Sequence, residues 1–479
     1  MKKIWFAGLT AISLFSCHKE NLESKPPAPK PPPVVNNLPV TITLTLDQSR
    51  KGFTIPETFE GLSYETALLA DSPEFLNENN KVLIRLMKNL GHGVLRIGGN
   101  SSDLTKWTGN ARTAATPANS LATSDIDRLS AFENATGWPV LFGLNLADNK
   151  AAAATDEARY VHKSLQNSLY AFQSGNEPDE YFTGPRSKKY NYEKYQQEWD
   201  TYFSDVRKDV HSAPFAGPDV TPFNSKWITS FTDNEGKNIK LIDGHYYVTG
   251  PASDSSITYD DILTQNAKLA EYLGVLHTSA SRHHLPFRIS ECNSVFGGGK
   301  KGVSDVFASA LWALDFMWEV ADYKGAGVNF HGGGSFFVYS PIGDENGVFS
   351  PRPAYYAMLA FKYGAVGKTI VPVKISDPRY NIRAHACINA DSTYAITLIN
   401  KEVKSSFAFT IQLGKTLSAV QVARLTAPEI TSATGTTFAG STVNTDGAFK
   451  PNITERYTIN SSSFIVNVPP GSAAVVMVR

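Results

Sequence analysis

The strongest constraint on the fold is an alternation that runs from about residue 59 to residue 361. Short apolar or β-branched runs alternate there with longer stretches of helical period, the pattern of a parallel sheet joined by crossover helices. Eight runs qualify as strands: residues 59–64, 94–97, 140–146, 170–174, 214–217, 241–246, 287–290 and 327–330. Residues 124–134, 156–169, 192–210, 261–276 and 303–320 read as helices, the first opened by Ser124 and Asp127 at capping-box spacing. Eight such units predict an α/β fold closed into a (β/α)8 TIM barrel.

Past residue 371 the period changes to two, over 394–399, 407–413, 420–425, 464–468 and 473–478. This predicts an accessory antiparallel β-sandwich. The early run Val-Thr-Ile-Thr-Leu-Thr-Leu at 40–46 alternates in the same way and is assigned to the same sandwich. At the N-terminus Lys2 and Lys3 precede an apolar run ending at Phe15, too short to span a bilayer, so it reads as an export signal. Leu14-Phe15-Ser16-Cys17 resembles a bacterial lipobox, which makes Cys17 the lipidation site. The proline-dense segment that follows would be a semi-rigid stalk. The expected organisation is a signal peptide at 1–17, a linker at 18–39, a sandwich strand at 40–50, the barrel at 51–365 and the sandwich at 366–479. The expected location is the bacterial cell envelope, with the chain exported and touching the membrane only through its N-terminal lipid.

Lys+Arg and Asp+Glu both number 45, so no long-range field draws the chain to nucleic acid. No obligate protein partner is evident. Apart from Cys17 only Cys292 and Cys387 occur; they fall in different predicted domains and are expected to be free thiols.

In a TIM barrel, chemistry collects at the C-terminal ends of the strands. Five predicted strands end in polar or glycine clusters: Gly98-Gly99-Asn100, Asn176-Glu177-Pro178, His245-Tyr246-Tyr247, Glu291-Cys292-Asn293 and His331-Gly332-Gly333. Two contain glutamates that would end strands 4 and 7 and face one another across the barrel mouth. Hydrolysis of a glycosidic bond with retention needs one carboxylic acid to protonate the leaving oxygen and one carboxylate to attack the anomeric carbon. Glu177 is the candidate acid/base and Glu291 the candidate nucleophile. Arg96, before a glycine pair on a buried strand, reads as a partner that keeps a nucleophile ionised.

Asn-Glu-Pro after strand 4 is similar to the acid/base signature of a large clan of barrel glycosidases with the nucleophile after strand 7. That resemblance implies that Asn176 binds the sugar 2-hydroxyl. A narrower resemblance follows from Phe59-Glu60-Gly61-Leu62-Ser63-Tyr64-Glu65, Leu95-Arg96-Ile97-Gly98-Gly99-Asn100-Ser101-Ser102-Asp103, Ile289-Ser290-Glu291-Cys292-Asn293-Ser294 and Val328-Asn329-Phe330-His331-Gly332-Gly333. From about Val40 to the C-terminus the chain resembles glycoside hydrolase family 79, which holds microbial β-glucuronidases and animal heparanase. The resemblance implies that Tyr247 hydrogen-bonds the nucleophile, with Tyr246 pointing away, and that Glu65, Asn100 and Asp103 contact sugar hydroxyls. It departs from the family where tyrosine hydroxyls recognise the uronic carboxylate, because Phe296 and Phe336 stand there. Backbone amides of Gly297, Gly298 and Gly299, and of Gly332, Gly333 and Gly334, or the hydroxyl of Tyr339, would have to serve instead.

The expected function is therefore a retaining exo-β-glycosidase on a carbohydrate substrate, a β-glucuronidase in the first instance. The alternatives are the same mechanism on a neutral β-glycoside, or a non-catalytic glycan-binding lipoprotein. Gly297-Gly298-Gly299-Lys300-Lys301-Gly302 matches a dinucleotide fingerprint but comes seventh in the strand series, with no acidic partner about 20 residues on. His331-Gly332-Gly333-Gly334 has no G-x-S-x-G partner, and His283-His284 no metal-ligand spacing. No metal or cofactor is expected.

Overall fold

A computed structural model describes residues 38–50 and 52–479. The expected signal peptide, the expected lipidation site Cys17 and nearly all of the expected linker lie outside the described residues. Eight parallel strands form the barrel: Gly61–Glu65, Val94–Gly98, Val140–Leu144, Leu169–Ser174, Ala216–Val220, Leu241–Thr249, Phe287–Val295 and Gly327–Gly332. Each pairs in parallel with its sequence neighbour, and the eighth returns to the first through Phe330–Leu62 and Gly332–Tyr64 pairing. Between the fourth and fifth strands closure is made by one parallel bridge, Phe172 to Phe215.

Alternation along each strand divides the residues between the barrel lumen and the helical shell. Leu95, Ile97, Phe142, Phe172, Ile242 and Phe330 pack outward against the helices in the main apolar core. At the bottom of the lumen Val94, Leu141, Ala171, Ala216 and Leu241 form a small separate core. Above it the lumen turns polar, with Arg96, Gln173, Asp243 and His245 each fully buried. Polar groups in such a place must bond one another.

Several local expectations are corrected. The helix expected at 124–134 is Thr123–Thr136, and Ser124 does not cap it; the Asp125 carboxylate accepts from the Ala122 amide at 2.9 Å. Asp127 instead accepts from the Tyr160 hydroxyl. The helix expected at 261–276 is two, Tyr259–Leu263 and Ala267–His283, because Asn266 caps the second by accepting from the Lys268 amide. The fifth strand runs to Val220 rather than ending at 217.

The C-terminal β-domain is a single, mostly antiparallel sheet. The runs at 407–413 and 420–425 are one long strand, Phe407–Thr426, whose register slips between Gln412 and Ala419. Its first half pairs with Val40–Leu46, its second with Ser472–Val478, so the bulged strand changes neighbours and folds the sheet over its own core. The early strand pairs parallel with Phe407–Thr426 and antiparallel with Val373–Ile375. Thr369–Val371, Val373–Ile375 and Ile382–Ile388 are further strands that sequence reading passed over. Cys292 and Cys387 are both buried and free.

Candidate active site

Glu177 and Glu291 reach the same end of the barrel by different devices. Glu177 sits in the left-handed region (φ 45°) between Gly175 and Pro178, which opens a short 3-10 turn. Its backbone amide donates to the Asp219 carbonyl at 2.9 Å, and a side chain at Gly175 would collide with the Tyr181 hydroxyl. Glu291 is aimed by a β-bulge: the seventh strand slips register between Ile289 and Glu291, so Ser290 and Glu291 both turn into the lumen. A regular strand would have sent one of them outward. One carboxylate oxygen of each glutamate and a ring nitrogen of His245 lie within 4.8 Å of one another. The Glu177 side chain keeps 24% of its surface exposed and that of Glu291 only 9%, so one carboxyl is open to the mouth and the other sunk below it.

Arg96 organises what lies beneath. Nη1 donates to Glu291 at 2.7 Å and to Ser63 at 3.0 Å, Nη2 to Asp219 at 2.7 Å and to the Asn176 side-chain oxygen at 2.8 Å, and Nε to Gln173 at 2.9 Å. Asp219, held in the lumen by a second bulge between Pro218 and Val220, also accepts from His245 and Ser290, each at 2.8 Å. Burial raises the Asp219 carboxyl, but Arg96 and His245 outweigh it and hold the group below its ordinary value. Neighbouring Asp243, without such cations in contact, is pushed up to about 8 by burial and the Asp219 charge. The pair thus holds one negative charge near neutrality, on Asp219.

His245 donates from Nδ1 to Glu177 at 2.9 Å and from Nε2 to Asp219 at 2.8 Å. Burial opposes its charge, yet Asp219 and Glu291 raise it well above the ordinary histidine value, so it is a buried cation. With each ring nitrogen turned to a carboxylate, His245 links Glu177 and Asp219 in one proton and charge network. Glu291 follows the same logic. Burial pushes it up, while the His331, His245 and Arg96 charges and the Tyr247 hydroxyl pull it well below the usual carboxylate range. It is a carboxylate kept ionised.

Tyr247 donates to the other Glu291 oxygen at 2.7 Å, whereas Tyr246 faces outward and stacks on Phe316, 5.6 Å between centroids. Tyr247→Phe removes one donor without changing packing. The expected result is a loss of kcat on the order of 10²-fold, with the acid limb of kcat/KM moving to higher pH because Glu291 loses support for its charge. A pH–rate profile checks this; an unchanged acid limb would show that the hydroxyl does not act on the nucleophile.

Among the residues expected to touch the sugar, Asn176 and Asn100 meet, the Asn176 amide donating to Asn100 at 3.0 Å. Glu65 accepts from the Ser101 amide at 2.8 Å and lies 3.4 Å from His331. Asp103 departs from expectation. Its oxygens accept from the amides of Leu146, Ala147 and Asn176 and from the Tyr181 hydroxyl, which leaves no lone pair for a sugar. It is the buried tie between the loops after the second, third and fourth strands. Gly333 also departs: its amide donates to the Ser340 hydroxyl, and a Cβ there would meet Leu68 and Tyr64, so it serves packing. Phe296 and Phe336 are 37% and 70% exposed at the rim. Tyr339 is buried with its hydroxyl 3.5 Å from that of Tyr247. Sequence reading missed Asp219, Gln173, Asp243 and Ser63; the Gly217-Pro218-Asp219 punctuation after the fifth strand was the one available signal.

Comparison with known proteins agrees with this arrangement. Residues 384–475 match the model of the glycosyl hydrolase family 79 C-terminal beta domain. A beta-glucuronidase of Aspergillus niger is 24% identical over 346 residues, 63% of this chain and 64% of that protein, and one of Neurospora crassa is 23% identical over 69% of this chain and 66% of that protein. The chain thus spans slightly less than two thirds of these curated relatives. Among solved structures, a 4-O-alpha-L-rhamnosyl-beta-D-glucuronidase from Fusarium oxysporum superposes with a TM-score of 0.76 at 19% identity, covering 91% of this chain and 99% of that one. A GH51 arabinofuranosidase from Xanthomonas axonopodis gives 0.68 at 15% identity, over 92% of this chain and 100% of that one. The C-terminal domain is thus that of glycoside hydrolase family 79, and the chain as a whole shares the fold of these solved glycosidases.

Proposed function

We propose that this chain is a retaining exo-β-glycosidase, acting as a β-glucuronidase. One observation carries the mechanism: two carboxylates at one barrel mouth with oxygens within 4.8 Å of each other. Retention requires carboxyl groups about 5–5.5 Å apart, and inversion, which must admit a water, roughly 6.5 Å or more. The ionised Glu291 attacks the anomeric carbon while Glu177 gives its proton to the glycosidic oxygen, and the aglycone leaves as an alcohol. Glu177, now a carboxylate, takes a proton from water, whose oxygen displaces Glu291 and releases the sugar with its original anomeric configuration. The Asn176 amide, with one N–H spent on Asn100, has a second for the sugar.

The uronic sugar is supported by the beta-glucuronidase names of the relatives and by one local feature. Gly297, Gly298 and Gly299 all have positive φ (84°, 93° and 85°), a tight turn against which Phe336 packs at Gly298 and Tyr339 at Gly299. Successive amides in a turn of this kind are a suitable cradle for a carboxylate. The neutral β-glycoside is the second reading, favoured by phenyl rings at Phe296 and Phe336. A panel of 4-nitrophenyl β-glycosides separates the two: the glucuronide is expected to exceed the glucoside, galactoside and xyloside in kcat/KM by at least about 10²-fold, the discrimination given by polar groups left unpaired with the wrong sugar. Equal turnover of glucoside and glucuronide would replace the uronic reading with the neutral one. Export and a lipid tether at Cys17 would set the enzyme at the cell envelope, facing extracytoplasmic glycans.

A further inference from the structure

A second pocket opens at the same end of the barrel, outside the catalytic centre. It has a volume of about 150 Å³ and lies between the loop after the second strand, which supplies Lys106 and Trp107, and the segment after the third, which supplies Asn145, Asp148, Lys150 and Glu157. Its neighbours are fixed. The Trp107 indole N–H donates to Asp156 at 2.6 Å and its ring lies 5.7 Å from that of Tyr160. The Asn145 amide donates to the Thr105 carbonyl at 2.9 Å, and its side-chain oxygen accepts from the Asp148 amide. Asp103 ties the same segment to Asn176 through the Leu146 and Ala147 amides.

The anomaly in this pocket is Glu157. It projects from the helix Ala151–Leu165, is only 6% exposed, and among the described residues makes no hydrogen bond or ion pair. Asp103 and Asp219, the comparably buried acids nearby, are each bonded by several groups. A carboxyl without a protein partner at the wall of a pocket is completed by water or by a ligand there. Its burial pushes it up to about 8, so near neutrality it is chiefly a carboxylic acid, able both to donate and to accept. Lys150 and Asp148 lie 3.6 Å apart and offset each other, which leaves Lys106 as the one lining charge without an ion pair among the described residues. The volume is that of about five waters at about 30 Å³ each, enough for one small ring.

We propose that this pocket is a second saccharide-binding site, taking one neutral pyranose, with the apolar face of the ring against Trp107 and a hydroxyl paired with the Glu157 carboxyl. The combination recommends that ligand class: a sugar offers C–H groups on one face and donor–acceptor hydroxyls at its edge, matching an aromatic wall and a neutral carboxyl together. Binding here does not depend on the glycosidase reading.

Saturation-transfer NMR of the full chain with methyl α-D-glucopyranoside, whose linkage a β-glycosidase does not cleave, tests the site. The wild type should bind saturably, and both Glu157→Leu and Trp107→Ala should weaken binding by about tenfold or more, the effect of removing one good hydrogen bond or one aromatic wall. Glu157→Gln, which still donates and accepts, should retain it. Because leucine replaces an unpaired polar group, Glu157→Leu should also melt at or above the wild-type temperature while turning over an aryl glycoside at the wild-type rate. No saturable binding, binding unchanged in both variants, or a lower melting point for Glu157→Leu would each overturn the proposal. Failure of aryl glycoside turnover in the wild type would bear on the catalytic reading alone.

Discussion

Glu291→Ala is expected to lower kcat on an aryl β-glucuronide by about 10⁵-fold or more, the scale seen when a covalent nucleophile is removed. The size follows from what is lost: an ionised group, sunk below the mouth, whose charge is fixed by Arg96 at 2.7 Å and Tyr247 at 2.7 Å. Glu177→Ala should behave differently. A 4-nitrophenolate leaves without protonation, so the first step survives with that substrate and fails with an alkyl glucuronide. Sodium azide distinguishes the roles again. In Glu177→Ala, azide attacks the glycosyl-enzyme and gives the β-azide; in Glu291→Ala, it enters the space left by the carboxylate and gives the α-azide. Residual activity of Glu291→Ala within tenfold of wild type, or identical leaving-group behaviour of the two variants, would remove the assigned roles.

Which parts of this arrangement can be read from sequence depends on how local their causes are. The eight strands are legible because each is an apolar run between turn residues, and the two glutamates because each follows such a run directly. Tyr246 and Tyr247 point apart for the same local reason. Asp219 was not legible: it enters the lumen only because the fifth strand slips register at Pro218, and nothing in Gly-Pro-Asp distinguishes an inward bulge from a turn. Asp103 fails in the opposite sense. A polar residue after two glycines looks like a ligand for substrate, but the short 3-10 turn Asn100–Asp103 carries it down to three backbone amides. The strand Phe407–Thr426 was broken in two because Gly414 suggests a turn, whereas pairing on both sides carries the strand through with a bulge. The charge state of His245 is the least local property of all, being set by carboxylates from three other strands or their ends.

Arg96 supports the other large expected effect. Arg96→Met should cost on the order of 3–5 kcal/mol of stability at neutral pH, the range for breaking a buried ion pair by removing one partner, as measured by denaturant unfolding. The guanidinium is fully buried and gives five hydrogen bonds to residues on the first, fourth, fifth and seventh strands or their ends, so its loss strands Asp219 and Glu291 at once. Lysine should rescue little, because a single ammonium cannot reproduce the planar fork that reaches Glu291, Asp219 and Asn176 together. The pH dependence has a definite sign. Both carboxyls titrate below their ordinary values in the folded protein, so the stability they contribute is present above the unfolded value of about 4 and is lost as pH falls through the folded value. Without Arg96 their folded values rise. Acid destabilisation should then begin at higher pH than in the wild type, and whatever activity survives should lose its acid limb in the same direction. A variant as stable as wild type at pH 7, with an unmoved acid limb, would mean that His245 and His331 suffice to hold both charges and that Arg96 is a spectator.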